Sequence, residues 1–106
     1  MRVISKTRLR EFWESRRERA DAKVPLLQWY DIVDKAIWKT PAEVKNLSGK
    51  NVDFVQVNSG NIVAVFNIHG NKYRLIAAIH YNFPRVFVLR VLTHVEYDTE
   101  KWKKEL

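Results

Sequence analysis

The chain is expected to fold as an α+β protein, a small antiparallel-rich β-sheet with two N-terminal helices packed on one face. Three observations predict it. The first forty residues carry apolar side chains at helical spacing: Leu9, Phe12 and Trp13, then Leu26, Trp29, Tyr30, Val33, Ala36 and Ile37. The later residues change to short β-branched runs, Ile62–Ile68, Tyr73–Tyr81 and Val86–Leu92. Between the first two runs lies Gly70-Asn71, a pair able to supply the positive φ of a tight hairpin turn.

Met1 to Ile4 is read as a short strand, with Ser5 as the N-cap of the helix that follows. The outer face of that helix carries Arg8, Arg10, Glu14, Arg17 and Glu18, with Arg10 and Glu14 four apart, as on a solvated surface. Asp21 to Lys23 forms a break. Pro25 belongs in the first turn of the second helix, where a missing N–H is tolerated. The two helices make a hairpin able to cover a sheet, so Trp13, Trp29 and Tyr30 are assigned to the core rather than to base stacking. Thr40-Pro41-Ala42-Glu43 is a capping box opening a short helix that Leu47-Ser48-Gly49 ends. Lys50 to Gly60 is mostly polar and holds at most an edge strand. Ile62–Ile68 is apolar at nearly every position, as in a strand covered on both faces. Pro84 sits in the turn between the last two strands, where it costs no ladder hydrogen bond. Thr99 to Leu106 is charged apart from Trp102 and reads as a short terminal helix anchored by that indole.

At 106 residues, 46% of them hydrophobic, the chain suits one domain, residues 1–106, with a modest core. No apolar run is long enough to span a bilayer. The opening residues are charged at once, which predicts a cytoplasmic protein without an export signal. The absence of cysteine excludes disulfides and zinc–thiolate sites. His69, His80 and His94 lack the paired spacing of metal ligands, so neither a metal nor a cofactor is expected. The net charge of +7 favours a polyanionic partner, and residues 1–50 hold 12 of the 19 basic side chains.

The stretch Phe66 to Asp98 concentrates the chemistry. A loop at Gly70-Asn71 places Asn67 opposite Arg74 and Phe66 opposite Leu75. A four-residue loop at Asn82 to Arg85 would then bring Thr93 opposite Arg74 and His94 opposite Tyr73. In that register Asn67, Lys72, Arg74 and residues 93–98 converge on one end of the sheet.

With strands after helices and a cluster such as KYRL…THVEYD, the chain resembles a HigB-type toxin of the RelE/ParE toxin–antitoxin superfamily. The resemblance runs through MRVISKTRLREFWE, LLQWYDIVDKAIWKTPAEVK, VFNIHGNKYRLIAAIHY and VLRVLTHVEYD. It implies a RelE-like sheet with an open basic cleft on the face away from the helices. It implies a ribosome-dependent mRNA endonuclease, silenced by a HigA-type helix-turn-helix antitoxin through which alone it would meet operator DNA. Arg74 matches the sheet arginine that relatives place at the scissile phosphate, and Tyr97 the C-terminal aromatic of such sites. His94 lies three residues before Tyr97, where relatives have an arginine or a histidine. The insert from Lys50 to Gly60, with Ala77 and Ala78, departs from relatives that keep a lysine pair.

RNA cleavage by side chains alone needs a base for the 2′-hydroxyl, a cation for the phosphoryl oxygens and an acid for the leaving 5′-oxygen. Arg74 suits the second role, since guanidinium stays charged and donates a fork of N–H bonds. His94 suits either acid or base, because imidazoles titrate near neutrality. Tyr97 would need Arg74 or Lys72 close by to act as base. The candidate catalytic residues are therefore Arg74, His94 and Tyr97, with Asn71, Lys72, Arg90, Asp98 and Lys101 as candidate RNA contacts. Asp98 can also orient a neighbour, and Arg90 can equally be an ion-pair member. Two other functions remain open: a non-catalytic inhibitor on the same fold that binds a protein such as DNA gyrase, and a basic RNA-binding module. The titratable trio favours the nuclease.

Overall fold

The structure, a computed structural model, describes residues 1–48 and 52–106. Strand β1 (Arg2–Ile4) leads into α1 (Lys6–Ser15), a 3₁₀ helix (Arg17–Ala22) and α2 (Lys23–Lys35). Helix α3 (Pro41–Ser48) precedes four strands, β2 (Val52–Gln56), β3 (Ile62–Ile68), β4 (Tyr73–His80) and β5 (Arg85–Thr93). Two five-residue helices, α4 (His94–Asp98) and α5 (Lys101–Glu105), close the chain. The sheet order is β1-β5-β4-β3-β2, with β1 parallel to β5 and the other pairs antiparallel. The expected α+β architecture, with two helices on one face, is present.

Strand alternation sends side chains to two unequal cores. Phe66, Ile68, Tyr73, Leu75, Ala77, Val86 and Val88 meet Leu9, Phe12, Leu26, Trp29 and Val33 beneath the helices. Phe12 packs edge-on to Tyr73 at 5.2 Å, and Phe66 receives Trp29 edge-on at 5.4 Å and Trp38 stacked at 6.4 Å. Trp13 and Tyr30 pack against this core from its margin. On the other face Val57, Val63, Val65 and Ile76 gather around Trp102.

Pro25 lies in the first turn of α2, as its chemistry requires. The capping box of α3 forms in full: Glu43 donates its N–H to Thr40 Oγ1 at 3.3 Å, and Thr40 donates its own to Glu43 Oε2 at 3.2 Å. Gly49, expected to stop that helix, and Lys50 lie outside the described residues. The edge strand expected somewhere in Lys50 to Gly60 is β2.

Several expectations are corrected. Ser5 occupies the N-cap of α1, but its side chain makes no capping bond. The break at Asp21 to Lys23 is instead the end of the 3₁₀ helix and the start of α2. Helix α2 ends at Lys35, so Ile37 leaves the helical repeat and is exposed. The β3–β4 register is as expected, with Asn67 opposite Arg74 and Phe66 opposite Leu75. Its loop spans residues 69–72, and the positive φ values fall on His69 and Gly70 rather than on Gly70 and Asn71. Between β4 and β5 the loop spans residues 81–84, and a bulge lies between Ile76 and Ala77 of β4 in the ladder with β5. Leu92 therefore faces Arg74 and Thr93 faces Tyr73, one residue off the expected pairing. Among the described residues no helix is long and apolar enough to cross a membrane.

Candidate active site

Arg74 is the second residue of β4, between Tyr73 and Leu75, which point into the large core. Alternation turns Arg74 to the opposite face, where it is 8% exposed and is the only buried charged residue among those described. Its Nη1 donates to the carbonyls of Asn71 at 3.0 Å and of Tyr73 at 3.1 Å. Its Nη2 lies 3.3 Å from His94 Nδ1, and its guanidinium carbon 5.5 Å from the centre of the Tyr97 ring. Among the described residues no carboxylate bonds to it. Burying a cation is costly unless it is compensated, and carbonyls and an imidazole leave its charge unneutralised.

His94 is the first residue of helix α4, which follows β5 directly. Thr93 caps this helix: Glu96 donates its N–H to Thr93 Oγ1 at 3.2 Å, and Thr93 donates to Glu96 Oε1 at 3.0 Å. The His94 N–H donates to the Lys72 carbonyl at 3.0 Å, tying the helix to the β3–β4 loop. The His94 ring is about half exposed, and its Nε2 lies 3.1 Å from Asp98 Oδ2, one helical turn on. Guanidinium has no lone pair to offer, so Nδ1 is the acceptor and the proton sits on Nε2, donating to Asp98. Arg74, His94 and Asp98 thus form a continuous chain of guanidinium, imidazole and carboxyl groups.

Tyr97 is stacked on Trp102, with centroids 5.3 Å apart and planes at 18°. The Trp102 indole N–H donates to the Tyr97 carbonyl at 3.0 Å, and the indole is 3% exposed. The Tyr97 ring therefore contacts both the indole and the Arg74 guanidinium. Burial, and secondly the Asp53 carboxylate, push its pKa above the ordinary 10.0, outweighing the opposing pull of Lys103 and Arg74. The Arg74 cation that a basic Tyr97 would need is beside the ring, but the net shift is upward, towards the protonated phenol. Lys72, the other cation invoked, faces elsewhere.

Lys72 is ion-paired with Asp21 in the 3₁₀ helix. The Tyr73 hydroxyl also donates to Asp21, at 2.6 Å, and His69 Nε2 is 3.7 Å away. The bond from Lys72, then that from Tyr73, holds the Asp21 carboxyl below the ordinary 3.8. Asn71 contributes its carbonyl to Arg74, and its own side chain is exposed. Arg90 faces Ile76, so the bulge sets it on the same sheet face as Arg74, with Nη1 on its neighbour's carbonyl at 2.7 Å. Lys101 opens α5, and no contact draws its ammonium to Arg74. The basic cleft expected on this face is partly covered by α5. Sequence reasoning missed Asp21, which carries no local signature, and the position of Trp102 against Tyr97. It also missed the capping box Thr93-His94-Val95-Glu96, whose T-x-x-E spacing is visible in the sequence.

The HigB_toxin family model, described as the RelE-like toxic component of a toxin-antitoxin system, matches residues 22–100. That span includes Arg74, His94, Tyr97 and Asp98. No curated protein gives a significant match to the chain.

Proposed function

We propose that this chain, which belongs to the HigB family of RelE-like toxins, cleaves mRNA on the ribosome by acid–base chemistry of its own side chains. The observation that carries the reading is the buried Arg74 cation joined to His94 and, through it, to Asp98. A toxin of such a system has a cognate antitoxin; we take that partner to be a helix-turn-helix protein that alone contacts operator DNA. The reading treats residues 1–106 as a single toxin domain acting in the cytoplasm.

In this mechanism the Arg74 Nη2 leaves His94 for a non-bridging oxygen of the scissile phosphate. That frees the Nδ1 lone pair, which takes the proton of the 2′-hydroxyl as the 2′-oxygen attacks phosphorus. Asp98, bonded to Nε2, stabilises the imidazolium that forms. Tyr97 gives its phenolic proton to the departing 5′-oxygen, leaving a cyclic phosphate and a 5′-hydroxyl. Solvent then removes the proton from His94 and returns one to Tyr97. A preorganised donor such as Arg74 contributes about 3 kcal/mol to such a step. Each proton transfer contributes roughly 10²–10⁴-fold. Arg90, on the same face, serves a neighbouring phosphate, and Asn71 and Lys101 border the path.

The test is induced expression in bacteria, with mRNA 5′ ends mapped for wild type and Arg74→Ala. New ends inside translated reading frames that vanish in the variant are expected. Growth arrest without new ends would overturn the reading in favour of an inhibitor of a protein target.

A further inference from the structure

A groove of about 530 Å³ is lined by His94 but not by Arg74. One wall is the start of the 3₁₀ helix, with Arg16, Glu18 and Arg19, and the other is α4, with His94, Val95 and Glu96. Lys72 and the buried Tyr73 lie between the walls.

Its chemistry divides into two strips. Arg16, Arg19 and Lys72 reach it from three parts of the chain, while Val95, 73% exposed, leaves an apolar surface beside the His94 ring. Arg19 is fixed: its guanidinium lies 4.7 Å from the Phe12 ring centre and bonds Ser15 Oγ and Glu96 Oε1, each at 3.3 Å. Lys72 is fixed by Asp21. Arg16 is the most loosely held: among the described residues its ion pair is with Glu18 at 3.9 Å, and exposed pairs of that kind are weak. Guanidinium has five N–H donors, so these pairs leave donors for an incoming phosphate. The walls also carry Glu18 and Glu96, so what the groove offers an RNA backbone is the donors these pairs leave over, and beside them Val95 offers a base an apolar surface.

We propose that this groove is an RNA subsite, holding the single-stranded nucleotides next to the scissile phosphate with backbone on Arg16 and a base against Val95. The inference rests on the nuclease reading, since His94 is the point at which the two sites meet. It assigns Lys72 to the flanking strand and not to the reacting phosphate.

Cleavage of mRNA on programmed ribosomes tests it with Arg16→Glu and Val95→Asp, both surface changes, and with Lys35→Glu at the far end of α2 as the control for net charge. Arg16→Glu is expected to raise KM about tenfold with kcat nearly unchanged, and to reduce the salt dependence by about one phosphate contact. Val95→Asp should shift KM in the same direction, and Lys35→Glu should leave it near wild type. An uncleavable 2′-O-methyl mRNA carrying 4-thiouridine beside the cleavage codon should cross-link to the segment 93–96. A wild type that cleaves, with Arg16→Glu and Lys35→Glu indistinguishable or with cross-links to ribosomal RNA alone, overturns the groove while sparing the nuclease. A wild type that cleaves nothing overturns both.

Discussion

At the scale of single residues, the site separates two side chains that look equally able to titrate. Tyr97 contacts both a cation and an indole, and burial pushes its phenol pKa upward. Removing only its hydroxyl should therefore remove a proton donor and little else. Tyr97→Phe is expected to lower kcat by about 10²-fold with KM nearly unchanged, read from single-turnover cleavage. An unchanged kcat would transfer the acid role elsewhere. Asp21 has a different task, joining the 3₁₀ helix to Lys72 and Tyr73. Its carboxyl ionises more readily folded than unfolded, so its contribution is present above the unfolded pKa and lost as pH falls through the folded value. The Tm of Asp21→Asn should accordingly fall less than that of wild type between pH 5 and about pH 2. Parallel melting curves over that range would show that the pair contributes nothing.

At the scale of elements, α4 carries His94, Tyr97 and Asp98 within five residues, and its start depends on one box. Thr93→Ala removes the side-chain acceptor for the Glu96 N–H, a loss of about 1 kcal/mol. Because the proposed reacting groups ride on that helix, kcat should drop severalfold while the protein stays folded by circular dichroism; Thr93→Ser should restore it. Wild-type kcat in Thr93→Ala would mean that α4 is held by other contacts. The same element marks the limit of what the sequence discloses. Thr40-Pro41-Ala42-Glu43 was legible because proline and a polar flank exclude a strand. Thr93-His94-Val95-Glu96 carries the same spacing, yet it follows Val86 to Leu92, whose β-branched run reads on as strand. The bulge was invisible for a related reason: apart from Arg90, Val86 to Leu92 is apolar at every position, so no glycine or break in the run announces where the ladder slips. The β3–β4 register was legible because a tight turn fixes it, and moving the positive φ to His69 leaves the pairing unchanged.

At the scale of the whole molecule, the sheet has one strongly buried face and one weakly buried face, and the site lies on the weak one. Among the described residues, twenty buried ones form the helix-covered core, against five on the other face, of which Trp102 alone comes from the C-terminal segment. The asymmetry gives the two faces different consequences on mutation. Leu75 is fully buried beneath the helices. Leu75→Ala should cost about 2–5 kcal/mol, a large share of a small domain's stability, and lower the global Tm. Trp102 joins α5 to Tyr97, and α5 is otherwise docked by the Asn58 N–H on the Lys103 carbonyl at 3.0 Å. Trp102→Leu should loosen residues 94–105 first, raising amide exchange there while β3 and β4 keep their protection. Cleavage should fall with that local opening, because the ring that holds the Tyr97 phenol in place has gone. Uniform loss of protection across the sheet would show instead that the two faces unfold as one unit, and that the weak face is no freer to move than the strong one.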